Sequence, residues 1–286
     1  LTTRQRLEAI AQQNNATLYM VLLSAFNVLL ARYSGSNDLL VGSPVAGRNR
    51  SELEGMIGAL INTVVLRSDL SGNPSFTELL TRTRNVTLDA FEHQELPFEK
   101  LVEELQPDRN LSHSPIYQVL FNLQNRSQEV VNFSGLESSA LITETGTAKL
   151  DLHLLLEETD SGLTAWFEYA TELFDAATIE RMAEHFDTVL NAIVENPARP
   201  INEISLLTAA ERQQILGEWN NTTVEYPQAA TLISLFHEQV DRTPDAVALE
   251  FASQQLTYRQ LDQRANQLAH ALLAIGTKAD DVIGVY

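Results

Sequence analysis

Apolar residues along this chain recur in two periods, and the switches between them mark the elements. Residues 18–31 are apolar nearly all round, which predicts a buried helix over 18–33 capped by Thr17. Before it, Thr2 or Thr3 caps a first helix to about residue 13, broken by Asn14 and Asn15. Gly35 and Asn37 turn the chain into a strand over 39–44; a loop at 47–50 and a strand over about 60–67 follow. Ser75, after Pro74, caps a helix to residue 91 whose Phe76, Leu79, Leu80, Val86 and Ala90 share a face.

Polar His93, Gln94 and Glu95 then lead to Pro97, after which Phe98, Leu101, Val102 and Leu105 recur at helical spacing. This predicts a helix starting near Pro97, with the proline in its first turn and Glu99 favourable to the helix dipole. Period two takes over at Tyr117, Val119, Phe121 and Leu123, at Leu150, Leu152, Leu154 and Leu156, and at Leu163, Ala165, Phe167 and Tyr169. The last two runs predict a hairpin turning at Asp160, Ser161 and Gly162. Asp175 caps an amphipathic helix with Ile179, Met182, Phe186, Val189 and Ile193 inward, His185 at the surface or boundary, and Pro197 as its stop.

Between about 197 and 227 the composition shifts to a linker with one helical piece over 209–219. The pattern then restarts as helix 232–239, strand 246–251, helix 258–275 and a strand from Val282 onward, which reads as the opening of a second α/β domain. The chain begins at Leu1 without methionine and closes on that apolar run, so the expectation is an excerpt of a longer polypeptide.

Charge narrows the partners. Nineteen Lys and Arg against 38 Asp and Glu give a net charge of −19, spread along the chain, which argues against nucleic acid or an anionic membrane. No cysteine is present, so disulfides, thiol nucleophiles and thiolate metal sites are excluded. The Asn-x-Ser/Thr triplets at Asn15, Asn85, Asn110 and Asn132 read as chance matches, and a reducing, cytoplasmic setting is expected. The apolar stretch at 18–31 is too short to span a bilayer.

No catalytic constellation assembles from spacing. His93, His113, His153, His185, His237 and His270 show no local metal spacing, and no metal site is expected. Nucleophile elbow, phosphate loop and dinucleotide fingerprint are absent. Ser112, His113 and Ser114 read as turn chemistry. Asp151 and His153 fall on one face of a strand, as a solvent-facing pair or as a pair lining a cleft.

Three segments in order carry a resemblance. Ile57, Gly58, Ala59, Leu60, Ile61, Asn62 and Thr63, with Arg67 beyond, are similar to the Ile-Gly-x-Phe-Val-Asn-Thr…Arg motif of condensation domains in nonribosomal peptide synthetases. Residues 93–99 resemble that family's His-Gln-Asp-x-Pro-Phe-Glu through His93, Gln94, Pro97 and Phe98. Residues 108–119 resemble its Arg-x-x-Ser-x-x-Pro…Gln-Val segment through Ser112 and Pro115. Farther on, Leu256, Thr257, Tyr258, Arg259, Gln260 and Leu261 resemble the first motif of amino-acid adenylation domains. Leu60, Glu95 and Gln260 replace the usual Phe, Asp and Glu.

The resemblance implies an α/β, chloramphenicol-acetyltransferase-like lobe over residues 1–205, an interdomain linker over 206–230 and the beginning of an acyl-adenylate-forming domain over 231–286. It implies a parent that joins aminoacyl or peptidyl thioesters on carrier proteins into an amide and activates an amino acid with ATP. The family's His-His-x-x-x-Asp-Gly motif is expected upstream of Leu1, so no catalytic residue is assigned here and the excerpt alone is expected to be inactive. Asn62 and Thr63, near the lobe interface in this reading, either orient substrate or the upstream histidine or simply cap and pair the end of a strand; Asp151 and His153 are further tunnel candidates. For 93–99 a structural role is expected, with Phe98 buried. No cofactor is expected on the excerpt itself; phosphopantetheine on carrier domains, ATP and Mg belong to the parent. The expected partners are donor and acceptor carrier domains and the rest of the same polypeptide. A condensation domain leading straight into adenylation resembles an elongation module; a non-catalytic docking piece and an epimerisation relative are the alternatives.

Overall fold

The computed structural model describes residues 2–48, 50–107, 114–125, 146–159, 162–225, 230–278 and 280–284. It resolves into two compact units, Leu1–Trp219 and Asn220–Tyr286.

In the first unit, α1 (Thr3–Gln13) and α2 (Leu18–Ser34) begin at Thr2 and Thr17, whose hydroxyls accept the backbone N–H three residues on. Strand β1 (Asp38–Val45), the short α3 (Ser51–Glu54), β2 (Asn62–Asp69), α4 (Phe76–Glu92) and α5 (Phe98–Leu105) follow. Next come β3 (Val119–Asn125), β4 (Leu152–Thr159), β5 (Gly162–Tyr169) and α6 (Ala176–Glu195). The strands form one mixed sheet in the order β2-β1-β3-β4-β5. Its centre, β1-β3-β4, is parallel, and the outer pairs are antiparallel.

The core lies on one face of this sheet. Every residue of α2 from Met20 to Leu30 is buried, as its apolar composition requires. On β4, Leu152, Leu154 and Leu156 alternate inward to meet it. Phe26 of α2 stacks on Phe121 of β3, with ring centroids 5.8 Å apart, and meets Phe186 of α6 edge-on at 6.2 Å. On α4, Phe76, Leu79 and Leu80 are buried as the periodicity predicts, and Thr83 and Thr87 join them. The Thr87 hydroxyl donates to the Thr83 carbonyl at 2.7 Å, which is how a polar residue is tolerated there.

Several expectations need correction. Pro97 occupies the position before α5 and not its first turn, and Phe98 is half-buried. Asp175 precedes α6, but its carboxylate makes no cap bond. His185 is buried, because each ring nitrogen has a polar partner inside the fold. The helical piece expected over 209–219 is formed, as a short α7 (Ala209–Gln213) continued by a π-helical turn, Gln214–Glu218. The 160–161 turn of the β4–β5 hairpin lies outside the described residues.

The second unit holds α8 (Leu232–Arg242), β6 (Val247–Phe251), β7 (Gln254–Thr257) and α9 (Tyr258–Ala274). Strand β7 pairs antiparallel with β6 across a turn in which Ala252 takes a positive φ of 52°. The absence of the usual Gly, Asn or Asp hides this hairpin in the sequence. The strand expected from Val282 is not formed over 282–284: no neighbouring strand lies beside it among the described residues, and Val282 is 99% exposed.

Candidate functional site

Two of the singled-out segments converge at the end of the β1–β2 pair. There Val45 pairs with Asn62 and Pro44 with Thr63. The Asn62 amide nitrogen donates to the carbonyls of Gln94 and Leu96 at 2.9 and 2.7 Å, and its oxygen accepts the Phe98 N–H at 3.1 Å. Pro97 offers no side-chain acceptor to the first turn of α5, so Asn62 caps that helix from another element. Asn62 thereby ties 57–63 to 93–99.

A cleft of ≈ 660 Å³ opens beside this joint, lined among others by Asn62, Thr63, Gln94, Phe98 and Tyr117. Phe98 and Tyr117 meet edge-on at 5.3 Å and wall one side. The Tyr117 ring fits only because position 42 is glycine, where an added Cβ would lie 2.6 Å from it. The loop above is held by Arg48, whose guanidinium donates to the carbonyls of Met56 and Gly58 at 3.2 and 3.1 Å.

Gly47, which reads in the sequence as an ordinary loop glycine, is demanded twice. Its φ is +63°, and a Cβ would sit 1.9 Å from the Leu60 carbonyl oxygen. Gly47→Ala is therefore expected to destabilise the first unit by about 1–3 kcal/mol, with faster amide exchange at 60–62. Unchanged exchange would show that the loop absorbs the methyl group.

The other singled-out residues lie elsewhere. Ile57 is fully exposed, and Gly58 needs neither a positive φ nor the space a Cβ would fill. Arg67 makes a two-pronged pair with Asp38 at 2.9 and 2.7 Å on the surface, and holds that carboxyl below its usual range. His93 ends α4 and its Nδ1 lies 2.9 Å from the Asp89 carbonyl; it does not line the cleft. Pro115 sits just ahead of Tyr117, and Ser112 lies outside the described residues.

Asp151 and His153 are not brought to the cleft either. His153 pairs with Leu120 on β3 and so stands level with Gly42 in mid-strand, whereas Asn62 pairs with the end of β1. Asp151 precedes β4, its N–H donating to the Gln118 carbonyl. Burial pushes the His153 imidazole below its usual pKa, Glu168 opposing, and its Nε2 has no partner among the described residues.

A second hollow of ≈ 540 Å³ shares Gln94 with the first and reaches Tyr19 and Ser43, whose hydroxyls are 2.8 Å apart. Burial pushes the Tyr19 phenol up to about 12, so it stays protonated at neutral pH. Nothing in the sequence marks these two, which read there as core helix and strand. No cluster of His, Asp or Glu able to hold a metal is found among the described residues. The site has walls, donors and acceptors, and nothing in it is arranged as a nucleophile with a base.

In the second unit, the Thr257 hydroxyl accepts from Gln260 N–H at 3.3 Å, and the Gln260 side chain accepts from Thr257 N–H at 3.0 Å. This capping box accepts Gln as readily as Glu, so the departure at 260 costs nothing. Leu256 pairs with Leu249, Tyr258 packs against Phe236, and Leu261 is half-buried one turn into α9.

Comparison with known proteins adds a frame. Residues 1–216 match the family described as condensation domain, and residues 236–286 match AMP-binding enzyme. A linear gramicidin synthase of Brevibacillus parabrevis is 45% identical over 287 residues, covering 100% of this chain and 4% of that protein. Tyrocidine synthase 2 of the same organism is 41% identical over 287 residues, covering 99% of this chain and 8% of that protein. The chain thus spans a small part of the curated relatives it matches. The crystal structure of holo-AB3403, a four-domain nonribosomal peptide synthetase bound to AMP and glycine, shares the fold with a TM-score of 0.80 at 24% identity; the match covers 96% of this chain and 22% of that one. The X-domain in complex with OxyB from teicoplanin biosynthesis matches at 30% identity and a TM-score of 0.66, covering 72% of this chain and 46% of that one.

Proposed function

This chain belongs to the condensation-domain family, and from that premise we propose that it is part of a nonribosomal peptide synthetase elongation module. One observation carries the reading. A condensation match over 1–216 is followed in the same chain by an AMP-binding match from 236, which leaves no room for a folded domain between them. The gramicidin and tyrocidine synthases among its relatives agree with it.

In the parent, an acceptor amine attacks the carbonyl of a donor thioester. The C–N bond forms, the C–S bond breaks, and the thiol of the donor's phosphopantetheine arm leaves with the proton the amine gives up. Carrier domains of the same polypeptide present both arms. This chain supplies a wall: Asn62 fixes the 94–98 turn, Phe98 and Tyr117 bound the cleft, and Thr63 and Gln94 offer hydrogen bonds to an extended, amide-bearing arm. No proton transfer is assigned to a side chain here, because the sequence lacks the His-His-x-x-x-Asp-Gly motif. Residues 236–286 carry no Gly-rich phosphate loop and no metal-fit cluster among the described residues, so no step involving ATP or Mg is assigned to them.

The test uses the full polypeptide that contains this chain, with carrier domains loaded with aminoacyl thioesters. It is expected to form a dipeptidyl thioester and to show amino-acid-dependent ATP–pyrophosphate exchange, while the 286 residues alone show neither. Exchange by the 286 residues alone would overturn the assignment of adenylation to the parent, and amide formation by them alone would overturn that of condensation. The match to an X-domain found in complex with OxyB favours a second reading, a docking surface without catalysis. Tight carrier binding by the full polypeptide with no amide formed would select it.

A further inference from the structure

The segment after α6 is stitched to the body in steps. Phe76 N–H donates to the Arg199 carbonyl and Ile201 N–H to the Pro74 carbonyl, at 3.1 and 2.9 Å. Arg32, near the end of α2, donates to the carbonyls of Asn202 and Ile204 at 3.0 and 3.3 Å, and Ile201 and Ile204 are buried. Beyond Ile204 this apolar anchoring fades. No residue of α7 or of the π-helical turn after it is buried, and Leu216 and Trp219 are 56% and 66% exposed. So short a helical piece, a five-residue α7 with one π-helical turn after it, does not persist by itself.

What meets α7 is a chain of polar contacts that runs from the exposed Tyr33 through the buried His185. The Tyr33 hydroxyl lies 2.8 Å from His185 Nδ1, and His185 Nε2 lies 3.1 and 3.0 Å from the two carboxylate oxygens of Glu211. His185 is only 7% exposed, so this is not a casual surface pair. A neutral imidazole satisfies both ends: Nε2–H donates to the carboxylate and Nδ1 accepts from the phenol. Glu211 also accepts from Thr208 N–H and hydroxyl at 2.9 and 3.0 Å, which caps α7 and aims its carboxylate at His185.

We propose that Tyr33, His185 and Glu211 form a clasp that fastens residues 205–219 onto the body of the first unit, so that the stretch held against that body ends at Trp219 and not at Pro197. His185 is a positioning residue in this device, with no part in bond making. The clasp stands whichever reaction the parent performs.

Hydrogen exchange and limited proteolysis on the whole 286-residue chain test it. In the wild-type chain the amides at 212–218 are expected to exchange slowly and residues 205–219 to resist cleavage. Glu211→Ala, a change that leaves the core untouched, is expected to speed exchange at 212–218 by about tenfold or more and to open cleavage within 205–219. The amides of α2 and α6 keep their wild-type rates. His185→Phe, which fills the same space without ring nitrogens, is expected to do the same with Thr208 intact. Glu211→Gln retains slow exchange, since its amide donates to the other tautomer of His185. Fast exchange at 212–218 in the wild-type chain, or wild-type exchange in both Glu211→Ala and His185→Phe, overturns the proposal. Thr208→Ala separates cap from clasp: if it alone reproduces the whole Glu211→Ala effect, the clasp is refuted.

Discussion

In Phe26→Ala the first unit is expected to lose about 3–5 kcal/mol of stability, the range for deleting a large aromatic from a packed core. Phe26 is fully buried and holds three elements at once: its own α2, β3 through Phe121, and α6 through Phe186. The void would open where helix layer and sheet meet, and the stiff strand on one side cannot collapse into it. Both tryptophans, Trp166 and Trp219, lie in the first unit, so tryptophan fluorescence during urea unfolding reports on it alone. The midpoint should fall with little change in slope. Phe26→Leu, which keeps most of the volume, should cost less than half as much. Equal losses for the two would show that the ring contacts, and not the filled space, set the stability there.

The second large effect is expected at Asn62. Asn62→Ala removes three hydrogen bonds together and should cost about 2–4 kcal/mol at net values of roughly one kcal/mol each. Asn62→Asp is the sharper variant. A carboxylate still accepts the Phe98 N–H, but it turns a charge toward the Gln94 and Leu96 carbonyls where a donor stood. Asp should therefore be at least as damaging as Ala, despite its near-identical shape. Stability and the Phe98 amide exchange rate read the effect together. If Asn62→Asp leaves both unchanged, the joint between 57–63 and 93–99 is not held by this side chain.

The elements most legible in the sequence are those whose signal is local. Thr17 and Ser75 announce helix starts, Leu152, Leu154 and Leu156 announce a half-buried strand, and the apolar run of α2 announces a buried helix. What stays hidden depends on partners far along the chain. His185 reads as a boundary residue until Tyr33, 152 positions before it, and Glu211, 26 after it, are seen to take its two nitrogens. Phe98 has the spacing of a buried residue, yet α5 presents it to a cleft edge beside Tyr117. Strand β7 escapes sequence reading because its turn uses Ala252 in a conformation that alanine seldom adopts. At the candidate site, motif resemblance draws attention to Asn62 and Gln94, while Gly47 and Tyr19 carry no pattern and emerge only from close approach and burial.

The cap that Asn62 lends to α5 also orders events in time. Helix α5 has eight residues, too few to hold together in water, and the acceptor for its first N–H arrives from a strand 36 positions earlier. The chain between must close into a loop before that acceptor is in place, and closure carries an entropic cost that local turns escape. Helix α4, with its own Ser75 cap, is free of that wait. In this lobe α5 is accordingly expected to form late in folding and to open early in unfolding, so that the wall it gives the cleft lasts only as long as the pairing of β1 with β2.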